Sequence, residues 1–163
     1  MIIQVDTREQ ENTHVLREFE KQNIDYFDSV LDFGDYYCDE TGVTVERKKD
    51  LTEFANNCGR GHQRFKRELE RLDATGGKMY IVIERKMTYN QLCDWTNPRG
   101  QVTYRRLSNG LTKALKPMTG EQMKKICDEW LKKHNIEFVF VEKGESGRTI
   151  IKLLRGLSLW KKR

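Results

Sequence analysis

Glu46 and Lys48 stand two residues apart in the run Val43-Thr44-Val45-Glu46-Arg47-Lys48. Side chains alternate between faces in a strand, so a strand here points Glu46 and Lys48 to one side and Arg47 to the other. A carboxylate and an ammonium in one pocket suit phosphodiester hydrolysis. That reaction calls for a metal to polarise the phosphate and activate water, and for a nearby cation to offset charge in the transition state. A second carboxylate must converge on the same ion. Asp35 follows Gly34 on what reads as the preceding strand of a hairpin, where antiparallel pairing would set it beside Glu46. Asp35, Glu46 and Lys48 thus form a D…ExK constellation. The tripeptide also reads more blandly, as the polar end of a strand emerging into solvent. A second copy complicates the choice: Glu84-Arg85-Lys86 repeats it, and Asp73 precedes Glu84 by the same 11 residues that separate Asp35 from Glu46. Asp73, however, ends a helical pattern before Gly76-Gly77, so the first set is preferred.

The metal, if there is one, should be hard. Cys38, Cys58, Cys93 and Cys127 contain no CxxC pair and read as isolated thiols, and His14, His62 and His134 are scattered, which leaves carboxylates as ligands. Net charge is +5, a weak pointer to a polyanionic partner, but its distribution says more. Between Arg85 and Met118 stand seven basic residues and one acid, a balance of +6, whereas the remainder balances at −1. These cations mix with Tyr89, Trp95 and Tyr104, as expected where cations track phosphates and rings stack on unpaired bases. The alternative is a solvated flap whose aromatics pack on the core. Arg99, Arg105 and Arg106 are the candidate nucleic-acid contacts here, with Arg60 and Arg64 nearer the active edge. Lys66 and Arg67 alternate with Glu68 and Glu70 and read equally well as a salt-bridged surface.

The elements that must position these groups are legible in outline. A chain of 163 residues, 37% apolar and 34% charged, suits one domain and excludes wholesale disorder. No run reaches the ~18 apolar residues of a membrane span, and the opening residues lack the basic and apolar regions of a secretion signal. The expectation is a soluble, intracellular protein: cytoplasmic in a bacterial or phage-infected cell, nuclear in a eukaryote. The pattern predicts a strand over 2–5, a helix over 13–23, and a β-meander through 26–31, 36–38 and 43–48. It then predicts helices over 51–57, with Asp50 as cap, and 63–72. A central strand over 79–83 follows, then a helix behind the Thr119/Gln122 capping box, a strand over 138–141, and a last helix capped by Ser146 with Ile150, Ile151, Leu154 and Leu157 inward. Residues 88–118 break the periodicity and read as an insertion. The class is α/β, a mixed central β-sheet flanked by helices.

Val5-Asp6-Thr7-Arg8-Glu9 adds further charges at the end of the first strand. Together, VDTRE at 5–9, FGDYY at 33–37 and VERKKDL at 45–51 resemble the motif series of the XPF family of nuclease domains, which includes archaeal Hef. That family carries a GD…ERK…D signature preceded by a DxRE element. The frame is similar too: a helix after ERK, a basic helix from Gln63, a strand ending in the acid Glu84, and a last strand and helix over Val139 to Leu154. The resemblance implies a restriction-endonuclease-like core that cuts DNA with Mg²⁺ or Mn²⁺, often at flaps, forks or junctions, in repair or recombination. It makes Asp35 and Glu46 the metal ligands and Lys48 the catalytic lysine. Asp6, Arg8 and Glu9 match the accessory DxRE residues, with Asp6 or Glu9 a candidate for a second ion. No nucleotide cofactor and no membrane partner are expected, and a homodimer is suggested by likeness alone. Two departures stand out. Only Lys49 separates Lys48 from Asp50, where the family places three residues, so Asp50 reads as a helix cap. No residues remain after Leu157 for the family's tandem helix-hairpin-helix module, so the chain reads as a stand-alone nuclease domain of a kind that suits a phage or mobile element. The rival reading is a DNA-binding module that keeps the fold without useful turnover and works beside a partner nuclease.

Overall fold

The apolar runs of the sequence become the strands of one twisted sheet, and the amphipathic stretches between them become the helices that cover it. The computed structural model describes residues 1–98, 100 and 102–157. In chain order these form β1 (Ile2–Asp6), α1 (Thr13–Lys21), β2 (Asp25–Ser29), β3 (Tyr36–Cys38), β4 (Val43–Lys48), α2 (Leu51–Cys58), α3 (His62–Thr75) and β5 (Lys78–Glu84). A 3-10 helix (Tyr89–Asp94), β6 (Thr103–Arg106), β7 (Thr112–Leu115), α4 (Gly120–Lys133), β8 (Ile136–Val141) and α5 (Lys143–Leu154) complete the list.

The main sheet runs in the order β2-β1-β3-β4-β5-β8, with β6 and β7 forming a separate antiparallel hairpin. Pairing is parallel at β1·β2, β4·β5 and β5·β8, and antiparallel at β1·β3 and β3·β4. The expected meander therefore holds only for its second half. β2 leaves it because α1 carries the chain back across the sheet to lie parallel beside β1, and β1 then separates β2 from β3.

The sheet divides two cores. One side packs Leu51, Phe54, Phe65, Leu69 and Met123 of α2, α3 and α4 on Met79, Ile81 and Ile83. The other packs Val15, Phe19, Ile150 and Leu154 of α1 and α5 on Ile3, Val5, Val45 and Val82. β5 feeds both cores, as a doubly covered strand should. β4 is buried at all six positions, charged ones included. The end of this strand does not emerge into solvent, which removes the bland reading of Glu46-Arg47-Lys48.

Two local expectations are corrected. α5 begins at Lys143 behind Glu142, three residues before Ser146, whose hydroxyl instead donates to the Lys143 carbonyl at 2.8 Å. The apolar stripe starts only after Gly144 and Gly147, which masks the first turn. Leu157, expected inward, is 52% exposed because the helix stops at Leu154 and the chain turns at Gly156, φ 70°. Residues 88–118 are indeed an insertion, but one with structure. Its 3-10 helix docks Leu92 and Trp95 into the core, and the start of α4 presses against it so closely that a Cβ on Gly120 would meet the Leu92 carbonyl at 2.4 Å. The β6–β7 hairpin lies outside the main sheet. Among the described residues no helix is long and apolar enough to cross a membrane.

Candidate active site

Antiparallel pairing of Tyr36 with Val45 leaves their neighbours, Asp35 and Glu46, on the opposite side of the sheet, the side covered by α2 and α3. Asp35 stands one residue before β3 rather than on it, yet its backbone still bridges two strands. Its N–H donates to the Val45 carbonyl at 2.8 Å, and its carbonyl accepts from the Asp6 N–H at 2.8 Å. Asp35 Oδ2 accepts from the Arg47 N–H at 2.7 Å, which fixes the carboxylate against β4. Gly34 makes this approach possible. Its φ is 73°, and a Cβ there would fall 2.1 Å from the Thr44 methyl carbon, so only glycine fits.

Lys48 Nζ lies 2.5 Å from Glu46 Oε1, with the two side chains 9% and 6% exposed. α3 supplies a further carboxylate, Glu68, which accepts from the Gly34 N–H at 3.2 Å. Charge is crowded here. Burial, and then the charge of Glu46, push the Asp35 carboxyl well above the ordinary range, with Lys48 opposing. Burial and Glu46 likewise raise Glu68. Burial would lower the Lys48 ammonium, but Glu46 and Asp35 hold it above its usual value and therefore charged.

Arg47 faces the other way, as the alternation demands. Its Nε donates to Glu84 Oε1 at 2.8 Å and its Nη1 to Glu9 Oε1 at 2.5 Å. His14 Nε2 sits 2.6 Å from the same Glu84 oxygen and 3.1 Å from the Ser146 hydroxyl, and the Tyr36 hydroxyl donates to Glu9 at 3.3 Å. Burial alone would raise Glu84, but hydrogen bonds from Arg47, His14 and Ser146 bring it below the ordinary value. The acid of the second ExK copy is thus the buried partner of the arginine in the first. Its Asp73 meets His134 Nδ1 at 2.7 Å at the end of α3, and Lys86 pairs with Glu142 at 3.2 Å on the surface.

The structure splits the DxRE residues. Asp6 accepts from Arg8 Nε and Nη2, each at 2.7 Å, and from the N–H groups of Arg8 and Leu31, each at 2.8 Å. Burial would raise this carboxyl, but the Arg8 side chain and then these N–H groups hold it below its usual value. Asp6 and Arg8 thereby pin the loop that leads into Gly34 and Asp35. Glu9 belongs to the Arg47 side. Asp50 caps α2, accepting from the Glu53 N–H at 2.7 Å.

A hard divalent ion fits the donor chemistry. Among the described residues no group of three or more His, Cys, Asp or Glu side chains is gathered as a ligand set. Asp35 and Glu46 are the pair whose mutual repulsion a cation would relieve, and Mg²⁺ commonly takes one or two carboxylates and fills its other positions with water and phosphate oxygens. Glu68 escaped sequence reasoning as a member of this cluster. The signal was there: Phe65, Glu68, Leu69 and Leu72 follow i, i+3, i+4, i+7 spacing, which puts one acid on the buried stripe.

Of the expected nucleic-acid contacts, Arg60, Arg105 and Arg106 line one groove of about 1260 Å³. Arg64 is exposed on the first turn of α3, away from that lining, and Arg99 lies outside the described residues. Two rings of the insertion belong to the core: Trp95 is buried, and Tyr89 stacks on Phe138 with its hydroxyl donating to Asp128 at 2.7 Å.

Comparison with known proteins agrees with this architecture. The fold matches XPF from Aeropyrum pernix with a TM-score of 0.60 at 19% sequence identity, covering 96% of this chain and 66% of that one. This chain thus spans a little under two thirds of the matched one. No curated protein sequence matches the chain. The family model of the ERCC4 domain matches residues 5–99, a stretch that begins within VDTRE, contains the GD and ERK motifs and reaches into the insertion. The chain therefore belongs to the ERCC4 domain family, that of the XPF-type nucleases.

Proposed function

We propose that this chain is a DNA endonuclease that hydrolyses phosphodiester bonds with Mg²⁺ or Mn²⁺ held by Asp35 and Glu46. The observation that carries the reading is the convergence of Asp35, Glu46 and the charged Lys48 on one covered sheet face, under like-charge pressure that a cation would relieve. When bound, the ion would supply phosphate polarisation and an activated water. Lys48, held charged beside Glu46, keeps its proton and would donate to a non-bridging oxygen of the scissile phosphate, where negative charge grows. The Arg47 N–H keeps Asp35 aimed at the same place. Glu68 stays close enough to bias both carboxylates, and Asp6 with Arg8 holds the loop. Arg60, Arg64, Arg105 and Arg106 contact the DNA backbone on either side of the cut. Selectivity for flap, fork or junction DNA belongs to the same proposal.

The test is a cleavage assay on labelled single-stranded, duplex, flap and four-way-junction DNA with Mg²⁺, Mn²⁺ or EDTA, beside Asp35→Ala. Metal-dependent cutting that vanishes in the variant while DNA binding is kept, or tightened by removal of an anion, is the expected result. Binding without cutting on every substrate would overturn it in favour of a DNA-binding module.

A further inference from the structure

A large groove lies beside α2. α2 is amphipathic in an unusual way: Leu51, Phe54 and Cys58 enter the core, while Thr52, Ala55, Asn56 and Gly59, at i, i+3, i+4, i+7 spacing, line the groove with small and polar groups. α4 forms a second wall with Gln122, Lys125 and Ile126, and the β6–β7 hairpin adds Tyr104, Arg105 and Arg106. At about 1260 Å³ the groove exceeds the roughly 300–1,000 Å³ of small-molecule sites.

Its charge is one-sided. Arg60, Arg105, Arg106, Lys116 and Lys125 line it, and among the described residues no carboxylate does. On the neighbouring helix faces some cations are matched: Lys66 pairs with Glu70 on α3, and Lys124 with Asp128 on α4. Lys125, the next residue, turns into the groove and, among the described residues, takes part in no salt bridge; the other four cations share that property. Gathering five like charges in one groove costs stability unless an anion arrives, and five cations in a groove larger than a small-molecule site ask for a polyanion. Tyr104 sets the strandedness. It is 72% exposed among these cations, whereas Tyr89 and Trp95 are packed away. A duplex hides its base faces inside the stack, so a ring so placed can stack only on an unpaired base.

The groove also has a direction. Thr52, at its near end, follows Lys48 by four residues, at most about 14 Å of chain, and Arg60 lies past the far end of α2. We infer that this groove binds single-stranded DNA, running from the active site along α2 with a base on Tyr104 and phosphates on Arg105, Arg106 and Lys125. The inference rests on the nuclease reading for its direction but not for the binding itself.

Binding is therefore measured without metal. Fluorescence anisotropy in EDTA would compare a labelled oligothymidylate of about 15 nucleotides with a duplex of equal length. The variants are Tyr104→Ala, Tyr104→Phe and the double variant Arg105→Ala/Arg106→Ala, with Lys66→Ala as an exposed control and circular dichroism to confirm folding. Tyr104→Ala should weaken single-strand binding roughly tenfold and leave duplex binding unchanged, with Tyr104→Phe close to the parent. The double variant should reduce the salt slope for the single strand by about 1.4, two phosphate contacts' worth. Equal affinity of all variants for the single strand, or equal loss for both DNA forms, overturns the inference. The same proteins assayed for cleavage separate the two claims. Cutting that ignores the groove variants leaves the nuclease reading standing alone, and Tyr104-dependent binding without any cutting leaves the groove standing alone.

Discussion

Lys48 and Arg47 are adjacent cations that face opposite ways, Lys48 towards Glu46 and Arg47 towards Glu84 and Glu9. Arg47 is 3% exposed and serves the buried Glu84 and the largely buried Glu9, so Arg47→Ala leaves Glu84 with His14 alone and Glu9 without its cation. A loss of about 3–5 kcal/mol in unfolding free energy is expected, read from denaturant midpoints. Lys48→Met should act differently. It keeps the stem that fills the pocket but removes the charge aimed at the phosphate, and cleavage should fall by at least about 100-fold in single-turnover assays with DNA affinity changed little. Comparable loss of stability in both variants, with proportional loss of cutting, would mean that Lys48 is structural. That the two side chains face opposite ways was legible in the sequence, because period two in a strand separates neighbours without further information. The Glu84 partnership was not legible. It depends on β5 lying parallel beside β4, and no local pattern states which strands are neighbours.

At the scale of elements, the loop into β3 and the start of α2 hold the site in shape. Gly34→Ala should be severe: a positive φ and a clash with the Thr44 methyl act together, and the displaced backbone carries Asp35. Thermal melting and cleavage should both suffer, the second more. Asp50→Ala makes a useful contrast. As an N-cap its loss should cost about 1 kcal/mol, and with no further role it should leave the cleavage rate at saturating metal unchanged. A large fall in that rate would make Asp50 a ligand after all. Turn and cap chemistry was visible from residue types, which is why most helix and strand positions agree to within a few residues. Where the expectation failed, at the meander and at the first turn of α5, the deciding contact was remote. β1 entered between β2 and β3, and Gly147 of α5 lies so close to α1 that an added Cβ would stand 2.8 Å from the Glu18 Cβ and 3.1 Å from the Val15 Cα, a proximity no window of sequence encodes.

The whole molecule carries two opposing sets of carboxylates, and its stability should record both. Asp35, Glu68 and Glu9 are raised, so the folded state binds their protons more tightly than the unfolded state does. Their ionisation therefore costs stability, and that cost is relieved as pH falls from neutrality towards the ordinary carboxylate range. Asp6 and Glu84 are lowered, so their contribution is present above that range and lost as pH falls through it. In EDTA the melting temperature should rise as pH drops from about 7.5 to about 5 and then decline below about pH 4. Asp35→Asn should flatten the first limb, and Mg²⁺ should raise the melting temperature most at neutral pH, where the cluster is most strained by its own charge. A Mg²⁺ effect that is unchanged in Asp35→Asn would place the ion elsewhere. The complete burial of β4 has one more consequence, for how such a chain can change length over generations. A single codon inserted or deleted in this strand ahead of Arg47 exchanges the faces of all that follows, turning Arg47 towards α2 and α3 and sealing Lys48 beneath α1 and α5, so a change of length disturbs both faces at once where a replacement disturbs one. Among the described residues the β6–β7 hairpin pairs with no strand of the main sheet, so a change of length there leaves the register of β4 untouched.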